Sequence, residues 1–286
     1  MNFGLALENF LQALIAGLLG GAIYGLMCVG LGLIFGVMRV INFAQGDFLM
    51  LGMYFTFYLV SVFGAFAFLG PAGAPIAGAL CAGPVLFLGG WLLHRALIAR
   101  VTGTRAAVFG DAGQAQLILT LGIALILENG GLIAFGSTPQ AVRTPLSWSA
   151  WHIPLGAGGA SELFVNKARA VACLVSIVLG AALYWFIGRT RIGKALRAAA
   201  DNPQAATYMG IDVDRAYGIA FGVGTGITAI AGGLIATYYP FQPYVGFDFV
   251  IIMYTGLKPS FDRSRWRTMA SATSLFACVQ VSMTLL

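Results

Sequence analysis

Residues 25 to 54, GLMCVGLGLIFGVMRVINFAQGDFLMLGMY, hold the pattern around which the chain is arranged. An apolar run leads to a single Arg39. A compact polar group of Asn42, Gln45, Gly46 and Asp47 follows, and the apolar character then resumes. No soluble core needs such a pattern. Two membrane segments joined by a short, ordered polar element at or inside the bilayer edge do. Polar backbone at that depth is tolerated only where protein buries it or it lines a cavity.

Residues 9–38, 48–93 and 216–247 contain no Asp, Glu, Lys or Arg. Thirty residues of helix rise about 45 Å, against about 30 Å of hydrocarbon. The pattern predicts crossings over about 11–36, 46–69, 76–98, 113–135, 168–187 and 217–238. Pro71, Gly73 and Pro75 predict a short external turn after the second. Residues 136–164, rich in Ser, Pro, Trp and Gly, predict an interfacial loop with a short helix lying flat. Glycines recur every fourth residue at Gly17, Gly21 and Gly25, at Gly32 and Gly36, and at Gly218, Gly222 and Gly226, a spacing suited to close helix contact. Asp201-Asn202-Pro203 predicts a helix start, with Asp201 as cap, running to about Met209 and stopping at Gly210.

Composition agrees. The chain is 59% hydrophobic and 9% charged, where soluble domains are about 25% charged. Its apolar runs are continuous, unlike the short alternating strands of a membrane barrel. The expected class is an all-α polytopic membrane protein of about 6–8 transmembrane helices, with a short polar break after the first. The net charge of +6 is concentrated in a few loops, a bias that orients a membrane protein rather than one that binds nucleic acid. The positive-inside rule places Arg39, Arg95, Arg100, Arg105 and the 189–197 cluster in the cytoplasm, and the 70–75, 136–164 and 239–247 segments outside. Cys28, Cys81, Cys173 and Cys278 are widely separated and read as small hydrophobes.

Enzyme signatures are absent: no phosphate-binding G-x-x-x-x-G-K, no H-E-x-x-H, no G-x-S-x-G. His94 and His152 are too few for a histidine-rich metal site. What remains is a conduit, a carrier or a structural subunit, with no metal or other cofactor expected. Asn42, Gln45 and Asp47 read equally as the lining of a path and as a cap that tucks in a helix end. Glu128, beside Asn129, is the only acidic residue well inside a long apolar run. An unpaired carboxylate there costs about 2.5–3.5 kcal/mol on the gentler scales, so it needs a partner, a proton or a cavity. A structural salt link is its plainer reading. The polar stretch 188–216 reads as a solvated loop or as a docking surface.

Two long blocks carry a resemblance. VMRVINFAQGDFLMLGMY, residues 37–54, and RTRIGKALRAAADNPQAATYMGIDVDR, residues 189–215, with the following AFGVGTGITAIAGGL, resemble the LivH-type permease subunits of bacterial branched-chain amino acid ABC transporters. Gln45 stands where that family usually has His. The resemblance covers about residues 10–256. It implies a multi-pass subunit of the bacterial inner membrane. The implied partners are a LivM-like second permease, two cytoplasmic ABC ATPase subunits, a periplasmic amino-acid binding protein and membrane lipid, with ATP used by the ATPases and no nucleic acid. It implies that the Asn42–Asp47 element, with Asn42, Gln45 and Asp47, lies near the translocation path; Glu128 is expected there from its own position in an apolar run. It also implies that Arg191, Gly193, Lys194, Arg197, Ala198, Asp201, Asn202, Ala205, Met209 and Gly210 belong to the ATPase-coupling segment. Branched-chain amino acids are the implied cargo, with urea or short amides carried by close relatives. The rivals are a self-contained channel or secondary carrier, and a non-transporting scaffold. Residues 1–256 are expected to form the permease domain, with 188–216 as its coupling segment. From Leu257 the chain reads LKPSFDRSRWRTMASATSLFACVQVSMTLL, unlike the family's Gly-rich continuation. The tail 257–286 is expected to be a shifted or truncated reading frame, with true divergence as the alternative.

Overall fold

The computed structural model describes residues 3–100, 112–154 and 162–257. Arg105 and the tail from 258 lie outside them. The helices are α1 (Phe3–Met38), α2 (Gln45–Phe57), α3 (Gly70–Ala96), α4 (Ala112–Phe135), α5 (Pro145–Trp148), α6 (Lys167–Arg189), α7 (Arg191–Asp201), α8 (Pro203–Tyr208), α9 (Val213–Ile235) and α10 (Val245–Leu257). Among the described residues five stretches are long and apolar enough to cross a membrane: Glu8–Met38, Ala67–Arg100, Gln114–Phe135, Lys167–Arg189 and Val213–Ile235. The chain is thus an all-α polytopic membrane protein.

The second expected crossing is corrected. α2 is only 13 residues long. It passes into one π-helical stretch at Tyr58–Val62. Gly64 and Phe66 then take left-handed backbone at φ of 62° and 65°, which turns the chain round. Pro71, Gly73 and Pro75 are not the turn but the opening of α3. Pro71, in the first turn, lacks only an N–H that has no intrahelical acceptor, so it starts a helix as readily as it ends one, while Pro75 lies inside the helix and leaves the Pro71 carbonyl without that bond. The 136–164 segment does contain a short helix, α5, but it also forms an antiparallel hairpin, β1 (Ala150–Pro154) with β2 (Glu162–Asn166), in which Trp151 faces Val165.

α9 is the buried axis, packed by α1, α2 and α3. Its glycines let neighbouring backbones and rings come close. A Cβ on Gly222 would stand 3.0 Å from the Phe87 ring, and one on Gly226 2.8 Å from the Gly83 carbonyl. One on Gly218 would press on Trp91 and His94, so the expected glycine face of α9 is the seam with α3. On another side, a Cβ on Gly224 would come 2.6 Å from the Gly30 carbonyl of α1. Gly36, on the expected α1 face, has open space around it. α4 and α6 are peripheral. Ile118, Ile126 and Ile133 on α4, and Leu174, Ile177 and Trp185 on α6, are more than 60% exposed, as apolar groups facing lipid or another membrane chain would be.

Candidate functional site

α1 ends where Arg39 adopts φ 55°, and residues 39–44 leave helical geometry. Val40, Asn42 and Ala44 of this non-helical strap are buried in protein, the condition under which such backbone is tolerated in a membrane, while Arg39 and Ile41 are exposed. Asn42 and Gln45 are both fully buried. Asn42 Nδ2 donates to Gln45 Oε1 at 2.9 Å. Gln45 Nε2 donates to the Gly224 carbonyl at 3.2 Å and to Thr228 Oγ1 at 2.6 Å. These acceptors lie near the midpoint of α9, so the start of α2 is pinned halfway along the central helix. Asn42 Oδ1 has no hydrogen-bond partner. Thr120 Oγ1 of α4 donates to the Ile41 carbonyl at 3.1 Å, tying a third helix to the strap.

No side chain caps α2, whose N-cap residue is Ala44. Gly46 instead meets the backbone of Gly246, where α10 begins, so two short helices start side by side. Asp47 is 4% exposed, and one of its carboxylate oxygens lies against Gly246. Favourable partial positive charge at a helix N-terminus gathers there. Glu128 of α4 is half-buried and within electrostatic reach of Asp47. Asn129 is exposed, its amide donating to the Leu125 carbonyl at 2.8 Å. The four residues expected by the path therefore divide into two pairs. Asn42 and Gln45 are enclosed and spent on packing α2 to α9. Asp47 stands at the start of α2, with Glu128 of α4 within its electrostatic reach.

The second region lies at the opposite end of the sequence motif, before α9. Thr190 caps α7, accepting from the Gly193 amide at 3.0 Å. Leu196 and Ala199 bury one α7 face. The helix start at 201–203 is displaced by one residue from expectation. Asp201 closes α7, and Asn202 caps α8, accepting from the Ala205 amide at 3.0 Å. The residue before a proline is held extended, and an N-cap needs that geometry, so the role falls to Asn202. Gly210, with φ 80°, ends the element as expected. Asp212 then caps α9, accepting from the Arg215 amide at 2.9 Å.

Of the residues expected to couple to an ATPase, Arg191, Lys194, Asp201, Asn202, Ala205, Met209 and Gly210 are exposed. Gly193 is buried because its Cα lies against Ile187 of α6. Arg197 and Ala198 are half-buried. The Arg197 guanidinium donates to the Gly188 carbonyl at 3.2 Å, bracing α7 on the end of α6. Tyr208, absent from the expected set, is 88% exposed, and Met209 beside it 83%. Two large apolar side chains at an exposed, capped tip are a docking signature. Their position in AATYMG before a left-handed glycine was the available clue.

The permease component of the branched-chain amino acid transport system, as a family, matches residues 13–257. The high-affinity branched-chain amino acid transport system permease protein LivH of Salmonella typhimurium is 28% identical over 83% of this chain and 74% of its own length. LivH of Escherichia coli K12 gives the same identity and coverage. The permease protein BraD of Pseudomonas aeruginosa is 24% identical over 84% of this chain and 75% of its own. No solved structure matches the chain. With a bundle of apolar helices and a family match across nearly all described residues, the chain belongs to the permease components of the branched-chain amino acid transport systems.

Proposed function

We propose that this chain is one permease subunit of an ATP-driven importer of the bacterial inner membrane, carrying branched-chain or related amino acids. The observation that carries the reading is the α7–α8 unit. Both its helices are capped, by Thr190 and Asn202, it packs on both α6 and α9, and Tyr208 and Met209 are exposed at its end. An importer without its own nucleotide motif needs such a surface to receive work from an ATPase, because energy enters only through contacts that differ between two states. On this reading two ATPase subunits hydrolyse ATP and seat on α8. A LivM-like second permease completes the path, and a periplasmic binding protein delivers the amino acid. This chain itself binds no cofactor.

Asp47 and Glu128 are proposed to face the path, where paired carboxylates attract an ammonium group. Asn42 and Gln45 hold α2 at the depth that places Asp47. Arg191, Lys194, Asp201, Asn202, Ala205 and Met209 form the ATPase contact, while Gly193 and Arg197 set its angle. The test is reconstitution of this chain with its partner subunits in vesicles. Leucine uptake that requires ATP and is lost with the ATPases is expected. Uptake by this chain alone would instead establish a self-contained carrier.

A further inference from the structure

The segment 136–149 is laced to the far end of α9, opposite α7–α8. Gln140 pairs with Phe241 through both backbone groups, at 2.8 and 2.9 Å. The Val142 amide donates to the Ala236 carbonyl at 3.1 Å, and Ser147 Oγ to the Thr237 carbonyl at 2.6 Å. Val142 and Thr144 are buried by this lacing, 1% and 9% exposed, so Arg143 between them is turned outward on a fixed strap. It overhangs a concavity of about 540 Å³. Phe57, Val60, Pro139 and Pro145 give that concavity apolar walls, and Ser61 and Gln140 add polar groups.

Two other cations sit at this end of the bundle, and aromatic faces cover both. Lys167 lies 6.0 Å from the Trp151 ring centroid, and Arg169 lies 5.1 Å from that of Tyr238. Arg143 has neither ring, nor acid, nor hydrogen-bond acceptor among the described residues. An unpaired guanidinium on a rigid strap is preorganised for an anion. Its planar fork matches a carboxylate with two parallel bonds. The volume lies within the range of about 300–1,000 Å³ usual for small-molecule sites. One fixed cation beside aliphatic walls complements a small solute with a carboxylate at one end and a branched hydrocarbon at the other.

We propose that the concavity under Arg143 is a carboxylate-binding subsite for small aliphatic amino acids, at the end of the bundle where solute enters. The proposal rests on the importer reading and narrows it. A solute without a carboxylate, such as urea or a short amide, gains nothing from Arg143.

The test measures binding of labelled leucine to the full chain in lipid nanodiscs, with three competitors. 4-Methylpentanoate keeps the carboxylate and loses the amine, leucinamide keeps the amine and loses the carboxylate, and urea has neither. Leucine and 4-methylpentanoate are expected to compete, and leucinamide and urea are not. Arg143→Gln should weaken leucine binding about tenfold, the worth of one good charge-assisted contact. Arg143→Lys should retain part of the affinity. Ser61→Trp, which fills the concavity and leaves Arg143 in place, should abolish binding. Absence of saturable leucine binding to the unaltered chain would overturn the proposal. So would competition by leucinamide equal to that by 4-methylpentanoate, or unchanged binding by Arg143→Gln. ATP-dependent leucine uptake by the assembled transporter, with any of those three outcomes, sinks the subsite and leaves the importer standing. Leucine binding of the expected pattern without ATP-dependent uptake sinks the importer and leaves the subsite.

Discussion

Gln45 and Thr228 are 183 residues apart, and their side chains meet at 2.6 Å inside the bundle, with no solvent contact on either. The same amide nitrogen also reaches the Gly224 carbonyl. Gln45→Leu removes every bond of this node and leaves Asn42 Nδ2 without its acceptor. A stability loss of about 1–3 kcal/mol is expected. Thr228→Val removes one acceptor and should cost less. The two substitutions together should cost less than the sum of the separate effects, as contacting residues do. Thermal unfolding of the four proteins in detergent gives the comparison.

Gly46 and Gly36 offer opposite outcomes from one substitution. A methyl group at residue 46 would collide with the Gly246 backbone, while one at 36 meets nothing within 4 Å. Gly46→Ala is expected to lower stability by about 1–3 kcal/mol, the usual cost of overpacking. Gly36→Ala, in the last turns of α1, is expected to raise it by about 0.5–1 kcal/mol through helix propensity. Melting temperatures that move in the same direction would contradict the packing described.

The two halves of the proposed coupling segment should separate experimentally. Tyr208→Asp combined with Met209→Asp alters only exposed surface. It is expected to abolish co-purification of the ATPase subunits and to leave the melting temperature unchanged. Arg197→Ala removes the brace to Gly188. It is expected to lower stability by about 1 kcal/mol and to weaken ATPase binding only partially.

Sidedness gives a fourth measurement. Single cysteines introduced at Phe68, 85% exposed beyond α2, and at Tyr208 lie at opposite ends of the bundle. In intact cells of a strain lacking other reactive thiols, an impermeant maleimide should label Phe68→Cys and not Tyr208→Cys. Labelling of Tyr208→Cys from outside would remove the α7–α8 surface from the reach of any cytoplasmic ATPase.

The long crossings were legible because hydrocarbon thickness fixes their length and charge-free runs announce it. So was the glycine face of α9, since a four-residue repeat stays on one side of a helix. The short α2 was not. In residues 58–69 only Gly64 hints at a break, and the turn depends also on Phe66 taking a backbone conformation that its type seldom adopts. The division of the polar cluster was equally hidden. Asn42, Gln45 and Asp47 look alike in sequence, but only the distant Gly224 and Thr228 decide which amides are consumed by packing and which carboxylate remains at a boundary. Tyr208 did have a local clue, its place in AATYMG before Gly210, but its exposure is set by how α8 sits on the bundle.

At several points along α9 nothing stands between its own backbone and those of α1, α2 and α3: Gly224 meets the Gly30 carbonyl, Gly232 the Leu49 carbonyl and Gly226 the Gly83 carbonyl. A flexible side chain can swivel to absorb a small shift of its neighbour, but a carbonyl close to a glycine Cα has no such freedom. Slippage of this axis against any of its three companions is therefore resisted at those points.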